Sequence, residues 1–202
     1  MNEDFSRVFR ICRFFCVLVL PAPQGLSIAM RNDNSARQLL RDMVGTWKVE
    51  ELMWPDSSAK AVPLPAALAH RQMVGDDFVE EVMRTPASEK KPFTRVAYFG
   101  FNAVTRQYEY FSLDTRAPQM MNERSNKSSE HMSDSHGVNL PGGTFVAPQW
   151  GPAKNAAFRY RIVVGRIEGN RQIVELYLTP VTTGSKHEFL AMKYIYTRAP
   201  ER

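Results

Sequence analysis

From Gly45 onward the chain alternates apolar and polar residues with a period of two. The clearest run places Phe158, Tyr160, Ile162 and Val164 on one face, with Arg159 and Arg161 opposite. Val174, Leu176 and Leu178 continue the pattern, and Leu190, Met192, Tyr194 and Tyr196 close it. One packed and one wet face per strand is the mark of antiparallel sheets. The pattern predicts strands at 45–54, 69–74, 78–85, 93–101, 106–114, 117–124, 157–167, 171–179 and 187–198, with a weaker one near 144–149. Gly75, Gly184 and the Gly169-Asn170 pair punctuate these runs, and Asn102 to Thr105 form a link of hairpin length.

Ahead of the strands the period is helical. Leu39, Leu40 and Met43 share one face, Asn34-Ser35 can cap the first turn, and Gly45 ends it. No crossover helices separate the strands, which excludes a parallel βαβ sheet. The expected fold is all-β: one antiparallel up-and-down barrel of eight to ten strands with a short N-terminal helix. The first strand, opening at Val44-Gly45-Thr46-Trp47, is expected to pair with the last, Met192 to Arg198.

Two predicted strands break phase. In 45–54, Trp47 and Val49 share a face but Leu52 and Trp54 take the other. In 106–114, Tyr108 and Tyr110 oppose Phe111 and Leu113. A one-residue bulge in each would return the apolar set to one side and bend the strand for closure. Two stretches are irregular: Pro55 to Pro65, and the long polar segment Asn122 to Gly143. Both are expected as loops at the open end.

The chain has 202 residues, enough to bury about 70% of its unfolded surface in one domain without disulfide or metal. Both cysteines, Cys12 and Cys16, lie near the N-terminus, so a disulfide framework for the body is excluded. The net charge of +5 comes from Lys and Arg scattered at solvent-facing positions, which argues against a nucleic-acid surface.

Residues 1–29 stand apart. Arg7, Arg10 and Arg13 precede the apolar run Phe14 to Leu20, and Ser27 and Ala29 supply small residues before Met30. This is the order of a cleaved secretory signal, which implies export to the periplasm or outside. The alternative is a mis-assigned start with Met30 as initiator, which implies a cytoplasmic protein. The apolar run is too short to span a bilayer. Residues 30–202 form the expected barrel domain.

With these residues placed, the chain resembles an uncharacterised bacterial family of the calycin, or lipocalin-like, superfamily. The resemblance is carried by Gly45-Thr46-Trp47, the stretch Arg71 to Glu81 with Gly75, Gly100-Phe101-Asn102, Tyr108, Asp114 and the terminal Tyr196-Thr197-Arg198. It implies that Trp47 packs across the closed end of a barrel and that Arg198 stacks on it, a structural lock. It transfers no catalytic residue. The polar segment 122–143 departs from the usual pattern.

The interior candidates for ligand contact are Phe99, Phe101, Tyr108, Tyr110, Met120, Phe158, Tyr160, Leu176, Met192 and Tyr194. They either line a pocket or fill the barrel; a barrel of this size allows both. The first functional expectation is carriage of a small apolar molecule, without cofactor or membrane span. The second is a barrel isomerase or hydrolase using Asp114, Tyr108 or Arg95, marked by a buried carboxylate with a raised pKa near a tyrosine hydroxyl. The third is an interaction module using 122–143. His131 and His136, with Glu130 and Asp134, could ligate a metal, and His70 or His187 a haem, but the polar loop offers no fixed geometry and solvated roles suffice. No nucleophile elbow or phosphate loop is present, and Gly142-Gly143 lacks the context of one. Glu80-Glu81 and Asp76-Asp77 are read as solvated pairs.

Overall fold

A computed structural model of the chain describes residues 24–125, 137–147, 156–181 and 187–200. Helix α1 (Gln24–Met43) is followed by ten strands: β1 (Gly45–Met53), β2 (Val62–Val74), β3 (Phe78–Arg84), β4 (Thr94–Asn102), β5 (Gln107–Asp114), β6 (Ala117–Arg124), β7 (Val138–Ala147), β8 (Ala156–Glu168), β9 (Arg171–Pro180) and β10 (Phe189–Arg198). They form a single antiparallel sheet in the order β6-β5-β4-β3-β2-β1-β10-β9-β8-β7. This is the expected up-and-down barrel, nearly closed. The first and last strands pair as the pattern predicted, with Trp47 opposite Arg198. The two sheet edges, β6 and β7, lie side by side without a ladder.

One end is closed by α1. The helix buries Ala36, Leu39, Leu40 and Met43 against the barrel. Its turns continue N-terminal to Asn34-Ser35, so that pair lies inside the helix and does not cap it. A helix end leaves carbonyls without partners. Here Arg198 supplies them: Nη1 donates to Val44 O and Nη2 to Asp42 O, both at 2.7 Å. The same guanidinium lies 4.3 Å from the centre of the Trp47 ring. The indole Nε1 donates to Met43 O at 3.0 Å. Gly45 is required between helix and strand. Its φ is +130°, and a Cβ there would stand 2.8 Å from Arg198 Nη1.

The inward face continues from this plug as an alternating stack. Trp47, Val49, Ala67, Ala69, Val79, Met83, Ala97, Phe99, Phe158, Ile162, Val174, Leu176, Leu178 and Tyr196 are buried. Several expectations are corrected. The bulges foreseen in β1 and β5 do not occur there. β1 alternates without interruption and turns Glu51 inward after Trp47 and Val49, leaving Leu52 and Trp54 half-buried. β5 continues from Tyr108 and Tyr110 to buried Ser112, with Leu113 exposed. The register shift beside β1 falls on β2, around Pro65 and Ala66. β2 begins at Val62, so the last four residues of the stretch read as a loop are strand. At Ala191 a second bulge turns Leu190 away from the inward face that Met192 and Tyr194 keep.

The segment 122–143 is corrected too. Its first residues belong to β6 and its last to β7, which starts at Val138 rather than near 144. β6 ends and β7 begins at the α1 end of the barrel, not at the open end. Residues 126–136 between them lie outside the described residues, as do His131 and His136.

Trp47→Ala should destabilise the protein by about 3–5 kcal/mol, the cost of deleting a large buried ring. Urea unfolding followed by far-UV circular dichroism checks this. A loss under about 1 kcal/mol, the scale of surface substitutions, would show that the ring does not carry the closed end.

Candidate functional site

The phase breaks have a different cause from the bulges first inferred for them: the barrel interior holds ionised groups. At the level above Trp47, Glu81 of β3 sits between two arginines. Arg71 Nε donates to Glu81 Oε2 at 2.8 Å, and Arg95 Nη2 donates to Glu81 Oε1 at 2.6 Å. Arg95 Nη2 also reaches Tyr196 Oη at 2.6 Å, and Arg71 Nη1 donates to Gln172 Oε1. Gln172 in turn donates to Gly165 O. The Arg71 guanidinium lies 4.1 Å from the Tyr196 ring centre, and that of Arg95 lies 4.5 Å from Tyr194. Burial works to raise the Glu81 carboxyl, but the two guanidinia outweigh it and hold it at about 2. Glu81 is thus a buried ion, not the solvated charge expected of it. Its neighbour Glu80 points outward to Tyr98 and Gln72, as adjacent strand residues must.

A second cluster lies nearer the open end. Arg116, in the turn between β5 and β6, donates from Nη1 to Glu51 Oε2 at 2.8 Å and from Nη2 to Asp114 Oδ2 at 2.6 Å. Its guanidinium stacks 3.5 Å from the Phe93 ring centre. Burial raises the Glu51 carboxyl against the pull of Arg116. The two clusters are biased in opposite senses: two cations to one carboxylate around Glu81, one cation to two carboxylates around Arg116.

The third group has no cation among the described residues. Glu123 of β6 is buried and accepts a short hydrogen bond from Tyr160 Oη of β8. Burial pushes its carboxyl up to about 7, opposed only by that bond. Three buried ionic atoms have no protein partner among the described residues: Glu51 Oε1, Arg95 Nε and Glu123 Oε2. Buried polar atoms are nearly always satisfied, so these three mark the interior as more than packing.

A cavity of about 30 Å³ lies among Arg71, Glu81, Arg95, Phe99, Tyr110 and Tyr196, over Met43. It has room for a few atoms only. Larger grooves lie on the outer wall: one of about 540 Å³ beside Val96, Leu113 and Met120, which Asp114 also lines, and one of about 240 Å³ beside Val163, Ile173 and Glu175.

The ligand-contact candidates read from sequence fall as follows. Phe99, Phe101, Tyr108, Phe158, Tyr160, Met192 and Tyr194 are buried, and Tyr110 is half-buried on the inward face. Phe99 and Tyr108 stack in parallel at 5.4 Å, with Phe101 edge-on at 5.1 Å. Met120 is exposed and leaves the set. The three catalytic candidates do not converge. Tyr108 and Asp114 stand six residues apart on one strand, roughly 20 Å. Asp114 and Arg95 are paired across strands, but each is bonded elsewhere, Asp114 to Arg116 and Arg95 to Glu81. His70 stands on the outer face of β2 within hydrogen-bond distance of Thr46, and His187 is exposed. No group of three or more His, Cys, Asp or Glu suited to a metal occurs among the described residues. No described helix is long and apolar enough to cross a membrane.

Sequence reasoning missed Glu51, Glu81, Arg71, Arg116 and Glu123. For all but Arg116 the signal was present. Glu51, Glu81, Arg71 and Glu123 each hold an inward position of an otherwise regular alternation, whereas Arg116 lies in a turn and carried no such signal.

Residues 32–196 match the family described as "Protein of unknown function (DUF1579)", and the chain belongs to that family. A search of curated proteins finds no match. The nearly closed antiparallel ten-strand barrel fits a calycin-like fold.

Glu81→Gln should cost about 3–5 kcal/mol, because it leaves two buried guanidinia without a counter-ion. The carboxyl is held below its ordinary 4.5, so its stabilisation is complete above that value and is lost as pH falls toward 2. Urea unfolding at pH 6, 4 and 2.5 should show the wild type losing about 3 kcal/mol more than the variant over this range. Parallel acid profiles would refute the role.

Proposed function

We propose that this member of the family is a non-catalytic, calycin-type barrel that binds a small molecule through an anionic group in its interior. The observation that carries the reading is the Arg71–Glu81–Arg95 cluster. Two guanidinia share one carboxylate beside a cavity, and Arg95 keeps a buried Nε–H without a partner. A carboxylate or similar oxyanion would accept from that donor and balance the local charge, since charged hydrogen bonds to guanidinium are the stronger kind. The aromatic wall of Phe99, Tyr110 and Tyr196 supplies apolar contact around it. The small volume and the buried guanidinia change the small apolar molecule first expected to a compact one with an acidic end.

A catalytic reading has one supporting feature, Glu123 beside Tyr160. This pair carries the raised carboxyl sought at Asp114. It does not line the cavity beside Arg95, so binding remains the better-supported function.

Native mass spectrometry and acidified solvent extraction of the purified protein test the proposal. The expected result is a co-purifying small acid. Acetate, small enough for the cavity, serves as an anionic reporter in titration calorimetry. Arg95→Met should weaken its binding by about 10- to 100-fold, the worth of one charged hydrogen bond. Neutral acetamide should be little affected. No co-purified acid, and equal reporter affinity in the variant, would overturn the reading.

A further inference from the structure

Nine of the ten strand junctions in a closed ten-strand barrel are hydrogen-bonded ladders here; β6 and β7 form the tenth, and it has none. What spans this seam is one side chain. Tyr160 comes from β8, passes over β7 and places its hydroxyl between the lips. Its hydroxyl donates to Glu123 of β6, its ring packs over Gly142 of β7, and the backbone of Asn122 and of Gly143 acts on the hydroxyl from the two lips. One hydroxyl thus takes the place of a ladder rung.

β7 is shaped to allow it. Its register against β8 shifts between Pro141 and Thr144. A Cβ on Gly142 would fall 2.1 Å from a Tyr160 ring carbon, inside the ring's own volume. The Pro-Gly-Gly sequence, which fits no phosphate loop, is explained as the bed of this tyrosine.

The groups facing Glu123 are few. Tyr110 of β5 pairs with it, and Tyr160 of β8 bonds it. From β4 and β3, Arg95 and Glu81 act on Tyr110 together with Glu123, but among the described residues no cation contacts Glu123 itself. Pro141, Gly142 and Gly143 of β7 carry no titratable side chain. Arg124, next along β6, points outward to Glu109. The seam is therefore bridged through a buried carboxyl that lacks the counter-ion given to Glu51 and Glu81.

We propose that the β6–β7 seam is a gate through which small polar molecules reach the barrel interior, held shut by the Tyr160 hydroxyl and released when the Glu123 carboxyl ionises. The gate gives access to the interior site proposed above, but its opening is independent of whether that site holds an acid. The shut form buries a carboxyl that prefers to be neutral. Its folded pKa, about 7, exceeds the ordinary 4.5. The shut seam is therefore most stable below 4.5 and weakens as pH rises to about 7, where the bare carboxylate gains most from water.

Hydrogen exchange of the full chain at pH 5, 6 and 7, corrected for the chemical exchange rate, reads the opening. Amides of β6 and β7 should lose protection by up to about tenfold per pH unit relative to β1 and β10. Glu123→Gln should flatten that dependence while keeping the seam protected. Tyr160→Phe should expose the seam at every pH. Acrylamide quenching of Trp47, in a Trp54→Phe, Trp150→Phe background, reads passage. The quenching constant should rise several-fold from pH 5 to 7.5 and stay flat with Glu123→Gln. Loss of protection uniform over all strands, or the same slope in Glu123→Gln, would overturn the gate. So would an opening seam with Trp47 still unquenched. Absence of a co-purified acid would refute the binding reading alone and leave these readouts unchanged.

Discussion

The structure depends on keeping ionised side chains inside a barrel without leaving them bare. Burying a lone charge costs several kcal/mol even after relaxation, and an ion pair recovers this only with good geometry and full hydrogen bonding. Glu81 meets both conditions: each carboxylate oxygen has its own guanidinium, and Gln172 and Tyr196 take further donors from the two arginines. The partners come from β2, β3, β4, β9 and β10, so the network ties both halves of the sheet across the interior. A slip of one residue in any of these strands would turn its inward charge to the outer wall and strand its partners. The register is thereby specified more sharply than apolar packing alone would specify it.

The closed end follows the same logic on backbone groups. α1 stops against the barrel and leaves carbonyls without helical partners. Arg198 answers two of them and covers Trp47 in the same placement, while Arg71 approaches the indole at 5.3 Å from within the barrel. Trp47 is thus set between two guanidinia, one belonging to the plug and one to the ionic network. Plug and network are one structure, which is why the first and last strands have to pair in register before either is complete.

Much of this was legible in the sequence, and the failures share a cause. The antiparallel order, the closing pair of strands and the inward aromatic residues all follow from a period of two. The reasoning failed where it assumed that an inward face must be apolar. In β1 and β5 that assumption required bulges, when the plain alternation had placed Glu51 and Ser112 inside. β2 was begun too late because Pro63 and Pro65 read as loop, although the outward residues Val62, Pro63 and Pro65 lie near the strand's start beside a bulge, where prolines are tolerated. β7 was begun too late because Gly142-Gly143 interrupt it, and the reason for Gly142 is the Tyr160 ring, which comes from another strand and leaves no local trace. Pairing over a hundred residues, such as the hydrogen bond from Arg71 to Gln172, cannot be read from spacing.

These pairings also sort the interior carboxyls. Glu81 has two guanidinia and stays ionised far into acid; Glu51 has one and is raised; Glu123 has none and titrates near neutrality. The series follows the number of cations supplied, as burial against Coulomb attraction requires. Glu81 and Glu51, which have counter-ions, lie on strands laddered on both sides. The one without lies at the only junction that is not. A ladder tolerates an ion beside it because the strands cannot part to let water in. At an unladdered seam the same ion can be relieved by separation. The place where the chain withholds a cation is thus the place where relief by opening costs the fewest backbone hydrogen bonds, and the barrel's single discontinuity and its single uncompensated carboxyl form one feature.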